Sequence, residues 1–188
     1  MKRTFALLAL LCAVCAYASG QSKESEIFAA GGHSVSGGRG DTSVFQAGAR
    51  FAWRLLPIGG VANLQYAVDV IPVFVVNQPL QSAYGVSFTP FDLKLNVTSA
   101  KWHPYAELGG GVLFTTHNVP IGTSQVNFTP QAGVGVQLPF ARTRNFLDFE
   151  VKYIHISNAG LTVPNPGVNT VQFKLAVGRW GSLLPFGH

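Results

Sequence analysis

From Val126 to Leu138 the chain reads VNFTPQAGVGVQL, a two-residue alternation that leaves little freedom in what it can become. Val126, Phe128, Pro130, Ala132, Val134, Val136 and Leu138 fall on one side of an extended strand. Asn127, Thr129, Gln131, Gly133, Gly135 and Gln137 fall on the other. Successive strand side chains point to opposite faces, whereas a helix would spread this pattern around its whole circumference. The same period runs through FQAGARFAWRL at 45–55 and VQFKLAVGRW at 171–180. A soluble sheet would hide its apolar face and coat the other with charge. Here the second face is crowded with Gly, Ala and Gln, and charged residues make up only 11% of the chain, against about 25% in a soluble domain. Beyond the first twenty residues, no apolar run reaches the roughly 18 residues that a spanning helix needs. Only strands could then cross a bilayer, and only as a closed barrel with an apolar wall and a polar lumen.

Turn signals such as SGGRGDT, NQPLQSA, TSAK and ARTRN divide the chain into eight strands, over residues 25–36, 42–56, 63–76, 84–97, 102–116, 124–140, 145–157 and 169–180. The expected fold is all-β, an eight-stranded antiparallel transmembrane β-barrel, with the first and fourth strands the least regular. No internal repeat or linker interrupts residues 21–188, which read as one domain. Eight strands enclose a lumen that side chains fill, which argues against a porin.

Residues 1–20, MKRTFALLALLCAVCAYASG, read as a secretory signal peptide. Lys2 and Arg3 give the charged start, Phe5 to Cys15 the apolar stretch, and Ala16 to Gly20 the small residues before a cut. The apolar stretch is short for a membrane anchor. Both cysteines, Cys12 and Cys15, lie inside it, so a mature chain would hold no disulfide, thiolate metal site or cysteine nucleophile. The formal charge of +5 becomes +3 without Lys2 and Arg3, which is too little to point to nucleic acid in the absence of any basic helix or motif. His33, His103 and His117 show no metal-ligand spacing, and neither a metal nor an organic cofactor is expected. The RGD at 39–41 reads as turn chemistry in a Gly-rich segment. Self-association into a homo-oligomer is left open.

With the N-terminus in the periplasm, odd-numbered strands run outward, so the seventh, NFLDFEVKYIHIS, ends at the cell exterior. Leu147, Phe149, Val151 and Tyr153 share a face with His155 and Ser157, while Asp148, Glu150 and Lys152 share the other. A charge facing lipid near the midplane costs roughly 2–4 kcal/mol. The charged set is therefore expected in the lumen, and His155 and Ser157 toward lipid near the outer leaflet. Asp69, Asp92, Lys94 and Glu107 read as lumen residues, Glu107 with Arg50, Arg54 or Lys174 as its partner. An imidazole can take the proton of a serine hydroxyl, and residues two apart on a strand lie about 6.5–7 Å apart at Cα. On spacing alone, however, the pair is more ordinary as the polar rim of a hairpin.

The residues that follow carry more information. HISNAGLTVPNPGVN, from His155 to Asn169, resembles the signature of the PagL family of outer-membrane lipid A 3-O-deacylases: His-x-Ser-Asn-Ala/Gly, then Pro-Asn-x-Gly in the next loop. The resemblance covers about fifteen residues. It implies Ser157 as nucleophile, His155 as general base, and backbone N–H groups near Asn158 and Gly160 as the oxyanion hole. It also implies, as substrate, an ester-linked 3-hydroxyacyl chain of lipid A in the lipopolysaccharide of the outer leaflet. One position departs from the family, which carries a glutamate fourteen residues beyond its histidine, where this chain has Asn169. No Asp or Glu follows Glu150. Strand parity puts Asn169 beside His155, where its amide oxygen is expected to accept the imidazole N–H, as Asn does in Cys-His-Asn enzymes. A non-catalytic barrel that anchors, adheres or stabilises the membrane fits the alternation equally well. An inactive family member would fold alike.

Overall fold

The computed structural model describes residues 23–38 and 41–181. The expected signal peptide with both cysteines, and Arg39 and Gly40 of the RGD turn, lie outside the described residues. Eight strands follow one another: β1 (Lys23–Gly37), β2 (Ser43–Ile58), β3 (Ala62–Asn77), β4 (Ser82–Val97), β5 (His103–Thr115), β6 (Val126–Pro139), β7 (Asn145–Ile156) and β8 (Val168–Trp180). Each pairs antiparallel with its chain neighbours, and β8 returns to β1, so the sheet is a closed barrel without an edge. The expected eight strands are all present, with ends displaced by a few residues.

The alternation translates directly into an inside-out molecule. Phe45, Phe88, Leu108, Val134 and Phe173 stand on the outer wall, each at least 46% exposed. Inside, the charges form one buried web. Arg50 donates through Nε to Asp69 at 2.6 Å and through Nη2 to Asp92 at 3.1 Å, and its Nη1 pairs with Glu107. Lys152 lies 2.7 Å from Glu107, Lys174 lies 2.9 Å from Glu150 and 3.1 Å from Glu26, and Lys94 lies 2.9 Å from Glu24. Glu107 thus has the expected Arg50, together with Lys152 rather than Arg54 or Lys174. A charge taken out of water persists only when paired in this way.

Above this web sits an apolar plug that includes Ile71, Phe74, Val76, Leu113, Val119 and Ile154. Below it, Phe146 stacks on Trp180 at 4.5 Å, and Trp180 lies 5.2 Å from His103. A void of about 10 Å³ remains among Gln46, Asp69, Gln131 and Lys152, at the lower limit for a single water. The lumen is a core.

Irregularity was expected in the first and fourth strands, and it occurs there and also in β2, between Arg54 and Leu56, and in β3. In β3 the inward series Ala67, Asp69, Ile71 resumes at Phe74 and Val76, one position out of phase. In β4 the series Ser87, Thr89 resumes at Asp92, Lys94 and Asn96. Register shifts fall at Ile71/Phe74 and Phe88/Phe91, and these intervals contain Pro72 and Pro90. Proline has no N–H to give the ladder and is tolerated at bulges, and each inserted residue exchanges the two faces beyond it. A further shift lies in β1, between Ser34 and Ser36.

The two ends of the barrel differ. At one end the connections are the short segments 59–61, 98–102 and 140–144; at the other, they include 116–125 and 157–167. Long loops face the exterior in outer-membrane barrels, which places the end carrying His155 outside the cell.

Candidate active site

The β7–β8 hairpin builds the site. In its register, Glu150 faces Lys174, Lys152 faces Gln172, and His155 faces Asn169. Asp148, Glu150 and Lys152 are buried, whereas Phe149 and Val151 are more than 40% exposed, so the expected parity of β7 holds and His155 belongs to the outer face. On its other side, β7 pairs with β6 as far as Ile154–Gln131, and a single bridge then joins Ser157 to Phe128. The break falls at Pro130, which cannot donate. Beyond it, Phe128 N–H donates to Ser157 O at 2.7 Å and Ser157 N–H donates to Phe128 O at 3.1 Å. These two bonds fix the serine backbone at the top of the strand.

His155 and Asn169 meet directly: imidazole Nδ1 lies 2.6 Å from the amide Oδ1. An oxygen has no proton to give, so Nδ1 carries the hydrogen and Nε2 keeps its lone pair for chemistry. The amide Nδ2 of Asn169 donates in turn to Ser36 Oγ on β1, at 2.8 Å. Three strands therefore share one row of hydrogen bonds on the outer wall. Ser157 Oγ has no hydrogen-bond partner among the described residues.

The 157–167 loop closes on this row more tightly than strand parity alone implies. Ser157 is only 7% exposed and His155 is half-buried, so neither lies open on the lipid face as expected. Gly167 is the reason at the imidazole. With φ at +64°, it sets its backbone so near the ring that a Cβ there would come within 2.6 Å of His155 Cε1. At the serine, Asn158 N–H donates to Asn165 Oδ1 at 3.1 Å, and Asn158 Nδ2 donates to Thr162 Oγ1 at 2.6 Å. Gly160 N–H donates to Asn158 Oδ1 at 2.9 Å. The two N–H groups expected to line an oxyanion hole are thus already engaged with side-chain oxygens. Ala159 lies between them, in a left-handed conformation with φ at +52°, and its N–H has no partner among the described residues. Among the described residues, no group of three or more His, Cys, Asp or Glu is arranged to hold a metal.

A closed barrel that is greasy outside, salt-bridged inside and long-looped at one end defines the class: an integral β-barrel protein of the bacterial outer membrane. Within that class, the profile of lipid A 3-O-deacylase (PagL) matches residues 42–177, and the chain belongs to that family. No curated protein matches the chain. Among solved structures, the crystal structure of the outer membrane enzyme PagL is 22% identical, covers 80% of this chain and 97% of its own, and superposes with a TM-score of 0.62. The outer membrane protein OprG from Pseudomonas aeruginosa is 14% identical over 85% of this chain and 95% of its own, with a TM-score of 0.53. At such identities these two likenesses speak for the barrel alone.

Proposed function

We propose that this protein is a serine esterase that removes an ester-linked 3-hydroxyacyl chain from lipid A. The observation that carries the reading is the 2.6 Å contact between His155 Nδ1 and Asn169 Oδ1, which leaves Nε2 as the basic nitrogen two residues from a serine on the same strand face. In the proposed reaction, Nε2 takes the proton of Ser157 as Oγ attacks the ester carbonyl. The imidazolium returns that proton to the departing sugar hydroxyl, leaving an acyl-enzyme. Water, deprotonated by the same nitrogen, then releases the 3-hydroxy fatty acid. The contact between Ser157 and His155 belongs to the loaded site, since catalytic hydrogen bonds commonly close only around substrate.

The negative charge that develops on the carbonyl oxygen needs N–H donors. Ala159 N–H supplies one without rearrangement. Asn158 and Gly160 supply theirs only on releasing the oxygens of Asn165 and Asn158 that they now hold. Location supports the same substrate. The row lies on the outer wall at the exterior end of the barrel, with the apolar Val151, Phe149, Phe173 and Leu175 following it along the same wall toward the opposite end.

The deciding experiment is mass spectrometry of lipid A from an outer-membrane host expressing the chain. Loss of one 3-hydroxyacyl group, abolished by Ser157→Ala in an equally folded barrel, is the expected result. Unchanged lipid A in the presence of the folded wild-type chain would overturn the reading.

A further inference from the structure

We propose that Ser36, on β1, is a positioning residue for His155, acting through the Asn169 amide. The inference rests on the esterase reading for its consequence in catalysis. Its geometry stands apart from that reading.

The first observation is the row itself, in which Ser36 Oγ accepts from Asn169 Nδ2 at 2.8 Å while Asn169 Oδ1 meets His155 Nδ1 at 2.6 Å. The second is the shift in β1. Glu24, Glu26, Phe28 and Ala30 are the buried, inward positions of that strand. Ser36 has the same even number and would also point inward. Between Ser34, which pairs with Thr170, and Ser36, which pairs with Asn169, Val35 is inserted without a partner. The extra residue carries Ser36 to the outer face, the face of Asn169. Bulges recur beside sites where a side chain has to be re-aimed. Here, the residue re-aimed is the one that touches the far end of the amide.

Chemistry says why that end matters. A carboxylate beside an imidazole offers oxygen whichever way it turns, but an amide offers oxygen on one side and NH₂ on the other. When His155 takes up a proton, both ring nitrogens become donors, and only the amide oxygen can face Nδ1. The NH₂ then necessarily points toward β1 and requires an acceptor. A serine hydroxyl can serve a neighbouring amide either way up, as donor or acceptor, so Ser36 accepts the rotamer that the charged imidazole imposes. Without Ser36, that rotamer loses the protein acceptor that selects it, and the opposite one, with NH₂ against Nδ1, deprives the imidazolium of its acceptor.

The test combines kinetics with a readout that needs no turnover. Deacylation by purified barrel in mixed micelles is compared for wild type, Ser36→Ala, Ser36→Thr, Asn169→Glu and the double variant Ser36→Ala/Asn169→Glu. We expect Ser36→Ala to lower kcat about tenfold with little change in KM, and Ser36→Thr to retain most of the rate. In the Asn169→Glu background, where there is no NH₂ to satisfy, Ser36→Ala should cost less than about threefold. In parallel, the His155 Nδ1 proton is followed by ¹⁵N-edited NMR. It should exchange with water several-fold faster in Ser36→Ala than in wild type, with Ser36→Thr restoring the slow exchange. Equal losses in both backgrounds, or an Nδ1 proton indifferent to Ser36, would overturn the proposal. If no variant, wild type included, deacylates lipid A, the esterase reading fails and the NMR comparison alone decides whether Ser36 positions the ring.

Discussion

The lumen and the outer wall hold their polar groups in opposite ways. Inside, Arg50 is shared by Asp69, Asp92 and Glu107, and Lys174 by Glu26, Asp148 and Glu150. Each of these two cations has more than one carboxylate, and the web lies between an apolar plug and an aromatic base. On the wall, Ser36, Asn169 and His155 stand in single file, with one bond per link. The lumen resists rearrangement because every ion there is buried and would be stranded by movement. The wall row gives up that redundancy and, among the described residues, leaves His155 Nε2 and the neighbouring Ser157 hydroxyl uncommitted. On the proposed reading, stability and reactivity are assigned to opposite faces of the same strands, one residue apart.

Six substitutions, at five positions, break or sharpen this contrast. The largest effect is expected from Ser157→Ala or His155→Ala. Each should lower deacylation about 1,000-fold or more while the heat-modifiable gel mobility of the folded barrel stays as in wild type, since neither residue takes part in the charged web. Full activity in purified Ser157→Ala would erase the distinction. Next comes Arg50→Met, the reciprocal experiment. Removing one partner of a buried ion cluster strands the others, at about 3–5 kcal/mol, so the urea midpoint for unfolding from lipid vesicles should drop sharply. Any barrel that remains folded should still deacylate.

Gly167→Ala should act on the wall alone. The new methyl must displace the imidazole or the loop, and a misplacement of about 1 Å costs up to about 100-fold in rate; folding in vesicles should change by only about 1 kcal/mol. The smallest change expected is at Asn169. Asn169→Ala should lower the rate without altering the fold. Asn169→Glu should preserve or raise it, by roughly tenfold at most, because a carboxylate also stabilises the imidazolium. Full activity in Asn169→Ala would remove the amide from the site.

Much of this contrast could be read from the chain before any coordinates. Two-residue alternation in β6 and β7 gave the strands, their faces and the lumen charges, because lipid tolerates one face only and makes the assignment nearly binary. The same parity put Asn169 opposite His155, and the two side chains do meet. Parity failed where counting fails. The inserted residues at Val35 and beside Pro72 and Pro90 exchange the faces beyond them, and a bulge depends on partner strands that no local pattern reveals. That is why Ser36, even-numbered on a strand whose even positions point inward, carried no signal. The loop was hidden for a different reason. Asn165 and Gly167 were visible in the PNPG segment, but their grip on Asn158 and His155 depends on how eleven residues fold back over the strand end. Side-chain oxygens there occupy N–H groups that sequence alone leaves free.

The outward aim of the His155 row has a kinetic corollary. If the proposed esterase reading holds, a row on the outer wall, reached through its covering loop, meets its substrate by diffusion in two dimensions, so the governing concentration is the mole fraction of lipid A in the surrounding leaflet rather than its amount per volume of solution. Diluting micelles with buffer should leave turnover per barrel nearly constant, whereas diluting lipid A with inert detergent at fixed bulk concentration should slow it. Neighbouring lipids then compete for the wall as a solvent does, and the composition of the membrane sets the effective affinity of the site.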